Sequence, residues 1–178
     1  MNYFELFNLP VGFFVDQSEL KRKFYALSRQ FHPDFYIQAS AEDQAEVLQK
    51  SALVNKGYKA LSSPDGTLQY LLELKGLVVT DEKYNLEPGF LGEMMDINEE
   101  LMDLEMEPEM TGLDKIEATT KNLLKEKYND VEGIMAGYQE GVAAEETLLP
   151  VKEYYYQKKY LQRILDKIGM LRNIAPRS

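Results

Sequence analysis

Phe31-His32-Pro33-Asp34-Phe35 decides how the first half of this chain is read. Upstream of it, Leu20, Phe24, Leu27 and Phe31 recur at i, i+4, i+7 and i+11, one apolar stripe on a helix. Downstream, Val47, Ala52, Val54, Tyr58 and Leu61 form a second, looser stripe. Pro33 lacks a backbone donor and pushes His32 out of the α region, so the first helix ends here. The stretch is therefore expected to close a helical hairpin and to hold His32 and Asp34 at its solvent-facing tip. Taken alone, His-Pro-Asp also reads as an ordinary interhelical turn with Asp34 as the next N-cap.

Composition narrows the functions open to the chain. Its 178 residues suit one domain or two small ones, and 44% hydrophobic content is that of a folded globular protein. No apolar run is long enough to span a membrane, and no signal peptide is visible, so a cytoplasmic location is expected. Cysteine is absent, which excludes disulfides, thiolate nucleophiles and thiolate-held zinc or iron–sulfur clusters. A single histidine rules out a multi-histidine metal site within one chain, and no EF-hand loop is present. No metal or cofactor is expected. The net charge of −10 argues against nonspecific nucleic-acid binding. Residues 1–83 carry 9 basic and 11 acidic side chains, residues 84–178 carry 11 and 19, so the excess lies in the second half.

Along the chain, residues 2–8 read as a short helix broken by Pro10-Val11-Gly12. Asp16 or Ser18 caps the helix that runs to about Phe31. On its outer face Arg22 and Arg29, flanked by Lys21 and Lys23, make a compact basic patch in an acidic protein. Ser40, with Asp43 three residues on, opens a helix to about Leu61. Ser62-Ser63-Pro64-Asp65-Gly66 then interrupts, Thr67–Lys75 forms a short apolar helix, and Gly76 is its C-cap. The expected division is 1–76, a linker at 77–88, helices at about 89–106, 112–137 and 142–172 packed as an antiparallel three-helix bundle, and a frayed tail at 173–178.

The helix from Phe90 carries two stripes. Phe90, Met94, Ile97, Leu101 and Leu104 suit a core. Leu91, Met95 and Met102 lie about 100–120° away, beside Asp96, Glu99 and Asp103, and no Lys or Arg occurs between Lys83 and Lys115. The pattern fits either a wide core stripe with a solvated acidic face or a protein-binding surface rimmed by carboxylates. A third feature is Tyr154-Tyr155-Tyr156: three consecutive helical residues cannot all point inward, so at least one is expected at the surface, and a partner site there needs Tyr156 to be the exposed one.

Several stretches together resemble the HscB-type J-domain co-chaperones. They are Met1-Asn2-Tyr3-Phe4-Glu5-Leu6-Phe7-Asn8-Leu9-Pro10, Arg29-Gln30-Phe31-His32-Pro33-Asp34, Tyr70-Leu71-Leu72-Glu73-Leu74 and Glu99-Glu100-Leu101. The resemblance implies an all-α fold, an N-terminal J-domain joined to a C-terminal three-helix bundle. It implies docking on a DnaK/HscA-class chaperone ATPase through Arg22, Lys23, Arg29, His32, Pro33 and Asp34, with stimulation of its hydrolysis. It also implies binding of an IscU-type iron–sulfur scaffold protein through Leu91, Met95, Asp96, Glu99, Asp103 and Tyr156, with Gly92 standing where the family usually has a larger apolar residue. The alternative is a general J-protein for other clients, although the chain has neither a Gly/Phe-rich linker nor zinc-binding cysteines. An enzyme is not expected, because nothing around His32 and Asp34 supplies a nucleophile, phosphate cradle or metal site. Nucleic acid and membrane are not expected partners.

Overall fold

The computed structural model describes residues 1–177. Among them the regular structure is entirely helical: α1 Tyr3–Leu6, α2 Gln17–Gln30, α3 Ala41–Leu61, α4 Pro64–Leu74, α5 Pro88–Met106, α6 Met110–Ala136 and α7 Leu149–Ile174, with 3₁₀ turns at Pro33–Tyr36 and Glu145–Leu148. The chain forms two compact helical units.

The first unit comprises Met1–Val79 and Met135–Ala144. Side-chain caps set its helix starts. Asn2 and Glu5 exchange bonds with each other's amides, Asp16 accepts from the amides of Ser18 and Glu19, and the Ser40 hydroxyl accepts from Asp43 N at 3.1 Å. Ser62–Gly66 ends α3 as expected, with Ser62 as its C-cap, and also starts α4, three residues before the expected Thr67: the Ser63 hydroxyl caps Gly66 N at 3.0 Å, and Pro64 occupies the first turn, where its missing N–H costs nothing. Gly76, just past the end of α4, takes the left-handed conformation (φ +68°) that favours glycine.

The hairpin of α2 and α3 is joined by Phe24 stacked on Tyr58, ring centroids 4.0 Å apart, and by Lys50 over the Phe31 ring. Val47, Val54 and Leu61 are buried as expected, but Ala52 is exposed, and the helix turns Gly57 inward instead. The reason is α1. Tyr3 and Phe7 lie against Gly57 so closely that an added Cβ would meet both rings at 3.0 Å. The segment Met135–Ala144, expected with the bundle, belongs here, with Tyr138 edge-on to Phe13 and Lys75 Nζ 2.5 Å from Glu140 Oε1.

The second unit comprises Thr80–Ile134 and the chain from Glu145 onward. Its helices alternate in direction. Glu93 and Glu100 of α5 pair with Lys127 and Lys115 of α6, and Asp114 and Glu117 of α6 pair with Arg172 near the end of α7. Phe90, Met94, Ile97 and Leu101 fill the core with Leu113, Ile116, Leu123, Leu161, Ile164, Ile168 and Leu171. The last helix, expected from residue 142, begins at Leu149, since the 3₁₀ turn before it buries Leu148 as an anchor and Pro150 stands in its first turn. The expected fraying from 173 is not seen through Ile174, which is still helical, and Ala175 is buried in the core; Ser178 lies outside the described residues.

Candidate functional site

Two groups of exposed side chains answer to the residues singled out in the sequence, one in each unit. In the first, α2 stops at Gln30 and the chain turns through Phe31 and His32 into the Pro33–Tyr36 turn. His32, not Asp34, is the cap. Its Nδ1 lies 3.3 Å from Asp34 N as acceptor, and 3.6 Å from the Asp34 carboxylate, to which it would donate only when protonated. Tyr36 ties the turn back to α2 by donating to the Gln30 carbonyl at 3.0 Å. His32, Pro33 and Asp34 are all exposed. A cleft of about 440 Å³ beside the turn is lined by Tyr25, Ser28, Arg29, His32, Asp34 and Phe35, so the structure brings Arg29, His32 and Asp34 together.

The basic patch is smaller than its sequence. Arg22 projects into solvent with 73% of its side chain exposed. Arg29 is exposed as well. Lys23 turns back: its ammonium donates to the Asn8 carbonyl at 2.5 Å and sits 2.7 Å from Glu19, so its charge is used inside the unit. Periodicity puts Lys23 on the outer flank, but its long stem lets it reach the α1 end. Phe35 and Ile37, each 71% exposed beside the turn, escape the sequence reading. The available signal is their position: apolar residues in a connector with no stripe to bury them.

In the second unit the two stripes of α5 separate cleanly. Met94 is 1% exposed and Met95 72%. Leu91 and Met102 are exposed with Met95. At about 100° per residue these three fall within about 40° of one another, and Glu99, Asp103 and Asp96 follow in that order toward the side of α6. The apolar edge instead borders α7, where Asn98 donates to the Tyr160 hydroxyl at 2.8 Å. Asp96 belongs to the far edge and lines a groove with Glu93, Glu100, Thr119 and Glu126. No described residue forms an ion pair with Asp96, Glu99 or Asp103, whereas Glu93, Glu100 and Glu105 of the same helix are paired from α6 and α7. Gly92 is exposed, and a Cβ there would meet nothing.

Of the three tyrosines, Tyr154 and Tyr155 are buried, and Tyr156, expected to be the exposed one, is half-buried because the segment before α5 covers part of it. One turn before Tyr160 on α7, its ring stacks on Tyr84 with centroids 4.3 Å apart, and its hydroxyl donates to Glu82 Oε2 at 2.6 Å. Glu82 Oε1 also accepts from Lys152 Nζ at 2.9 Å. Tyr84 donates to Glu153 Oε2, while Glu153 Oε1 accepts from the amide of Glu87 at 2.9 Å. Burial, and then the neighbouring carboxylate, push both phenols well above the usual tyrosine range. Sequence alone reads 82–86 as plain linker. The signal that finds its role is alternation: Glu82, Tyr84 and Leu86 are half-buried, Lys83 and Asn85 exposed, the period of extended backbone against a surface. Among the described residues no group of His, Asp and Glu is arranged to hold a metal ion, and no helix is long and apolar enough to cross a membrane.

Comparison with known proteins gives a consistent result. Residues 86–169 match the model of the HSCB C-terminal oligomerisation domain. A co-chaperone protein HscB homolog of Vibrio cholerae is 33% identical over 174 residues, covering 94% of this chain and 99% of the relative. Among solved structures, the chaperone HscB from Vibrio cholerae aligns with a TM-score of 0.63 at 31% identity over 94% of this chain and 99% of that one. The human co-chaperone protein HscB aligns with a TM-score of 0.77 at 28% identity over 97% and 82%.

Proposed function

Because the chain belongs to the HscB family of co-chaperones, we propose that it docks on a DnaK/HscA-class chaperone, stimulates its ATPase and delivers an IscU-type iron–sulfur scaffold protein to it. In this reading His32, Pro33 and Asp34 engage the ATPase, and Arg22 and Arg29 steer the approach, with Lys23 contributing less because its charge is already paired. Leu91, Met95 and Tyr156 anchor the scaffold protein, and Glu99 and Asp103 form the charged rim. Asp96 stands further out, at the α6 side.

The observation that carries the proposal is the outward stripe of α5. An apolar set that the core does not use, bordered by unpaired carboxylates, suits an interface with apolar anchors and a polar rim. The test is the chaperone's ATP turnover with the chain, the scaffold protein, and both. The expected result is stimulation by the chain alone and greater stimulation with both. Replacing Leu91, Met95 and Tyr156 together by Ala should remove the scaffold-dependent part, impair binding more than neutralising Glu99 and Asp103, and leave stimulation by the chain alone intact. Normal scaffold binding by that triple variant would remove the site assignment.

A further inference from the structure

We propose that Glu82 is a positioning residue for partner binding: its carboxylate fixes the Tyr156 ring against Tyr84, so that the ring is presented in one orientation beside the apolar edge of α5. The inference rests on the scaffold-binding reading above and extends that site into the extended segment that precedes α5.

The geometry that supports it is the division of labour at Glu82. One carboxylate oxygen is engaged by Lys152 at 2.9 Å, and an ion pair alone would tether the segment to α7. The second oxygen takes the Tyr156 hydroxyl at 2.6 Å, a short charge-assisted bond. The ring plane is set separately by Tyr84, stacked at an interplanar angle of 12° and itself held through Glu153. Tyr155 packs against the same ring edge-on, centroids 5.0 Å apart, so the half-buried Tyr156 is held at its hydroxyl and by two rings and offers only the part these leave uncovered. Glu153 also binds the amide of Glu87, at the residue preceding α5, so the same array registers the start of α5 against α7. An aromatic anchor that is already ordered loses less freedom when a partner binds, and that gain appears as affinity. A phenylalanine at this position could stack on Tyr84 but would have no hydroxyl for Glu82 to hold.

The experiment is a double-mutant cycle on affinity for a cluster-free IscU-type scaffold protein, measured by titration calorimetry with the full chain. Glu82→Met, which keeps the length of the side chain but has no oxygen to accept, and Tyr156→Phe should each weaken binding by about tenfold, the lower end of what one hydrogen bond to a charged group is worth. The double variant should bind no more weakly than the weaker single variant, because both changes remove the same link. Lys83→Ala, on the outward side of the segment, should bind as wild type. A tether role for Glu82 would instead lower affinity equally with and without the Tyr156 hydroxyl, and such additive losses would overturn the proposal. So would wild-type affinity in Glu82→Met. If the unaltered chain fails to bind the scaffold protein, the scaffold reading itself falls, and this inference with it.

Discussion

The two connectors that matter in this molecule are built in opposite ways. The Pro33–Tyr36 turn is held by bonds within a few residues, His32 to Asp34 and Tyr36 to Gln30, and it leaves His32, Pro33, Asp34 and Phe35 in solvent. The segment from Glu82 to Glu87 makes its side-chain bonds to residues on α7, far along the chain, and turns alternate side chains inward. The first presents these four side chains outward. The second is part of the fold. The lesson is that exposure of a connector follows from where its polar groups find partners, and only local partners can be read from local sequence.

The largest expected effect tests the first half of that contrast. His32→Gln should abolish stimulation of the partner ATPase while moving the melting temperature by no more than about 2 °C, as for an exposed substitution. A variant that lost both activity and stability would show that the turn is structural and would collapse the comparison.

A second test sharpens it within one helix. Met94→Ala should destabilise by about 2–5 kcal/mol, the cost of a core truncation, while Met95→Ala, one residue on, should change stability by about 0.5 kcal/mol or less. Thermal or urea unfolding of the two variants side by side decides this. Equal losses would mean that the outward stripe of α5 is core after all.

The smallest effect concerns the second connector. The phenols of Tyr84 and Tyr156 titrate above the usual tyrosine value in the folded chain, chiefly through burial and then through Glu153 and Glu82 respectively. Their contribution to stability is therefore fully present below the unfolded value of about 10 and is lost as pH rises toward the folded values. Melting temperature followed from pH 8 upward should fall, and the Tyr84→Phe, Tyr156→Phe double variant should show a shallower alkaline decline. An unchanged slope would indicate that the hydroxyls are not held as the structure has them.

Much of the fold is legible in the sequence because its determinants are periodic or adjacent. Phe90, Met94, Ile97 and Leu101 face the core where a helical period puts them, and Ser40 caps the helix it precedes. The outward stripe of Leu91, Met95 and Met102 can be told from the core stripe by angle alone. What is not legible depends on partners distant in sequence. Gly57 faces inward because Tyr3 and Phe7 pack on it. Lys23 leaves the basic face for the Asn8 carbonyl. Tyr156 belongs to an array with Glu82 and Tyr84 that no helical pattern announces. Ser62–Gly66 is half legible: its serines and proline end α3 as read, but the same residues in that order also start α4, three residues before Thr67.

The membership of Met135–Ala144 in the first unit has a temporal side. During synthesis the hairpin of α2 and α3 emerges early and can assemble from local contacts. Its neighbour Tyr138, which closes over Phe13, and Glu140, which meets Lys75, are made only after α5 and most of α6. Closing so long a loop is not thermodynamically severe, since each doubling in length adds about 0.6 kcal/mol, but it is late. A ribosome paused before residue 135 therefore displays a J-domain with its turn already formed and the Phe13 side uncovered. The finished first unit is reached only when the two ends of that long excursion meet.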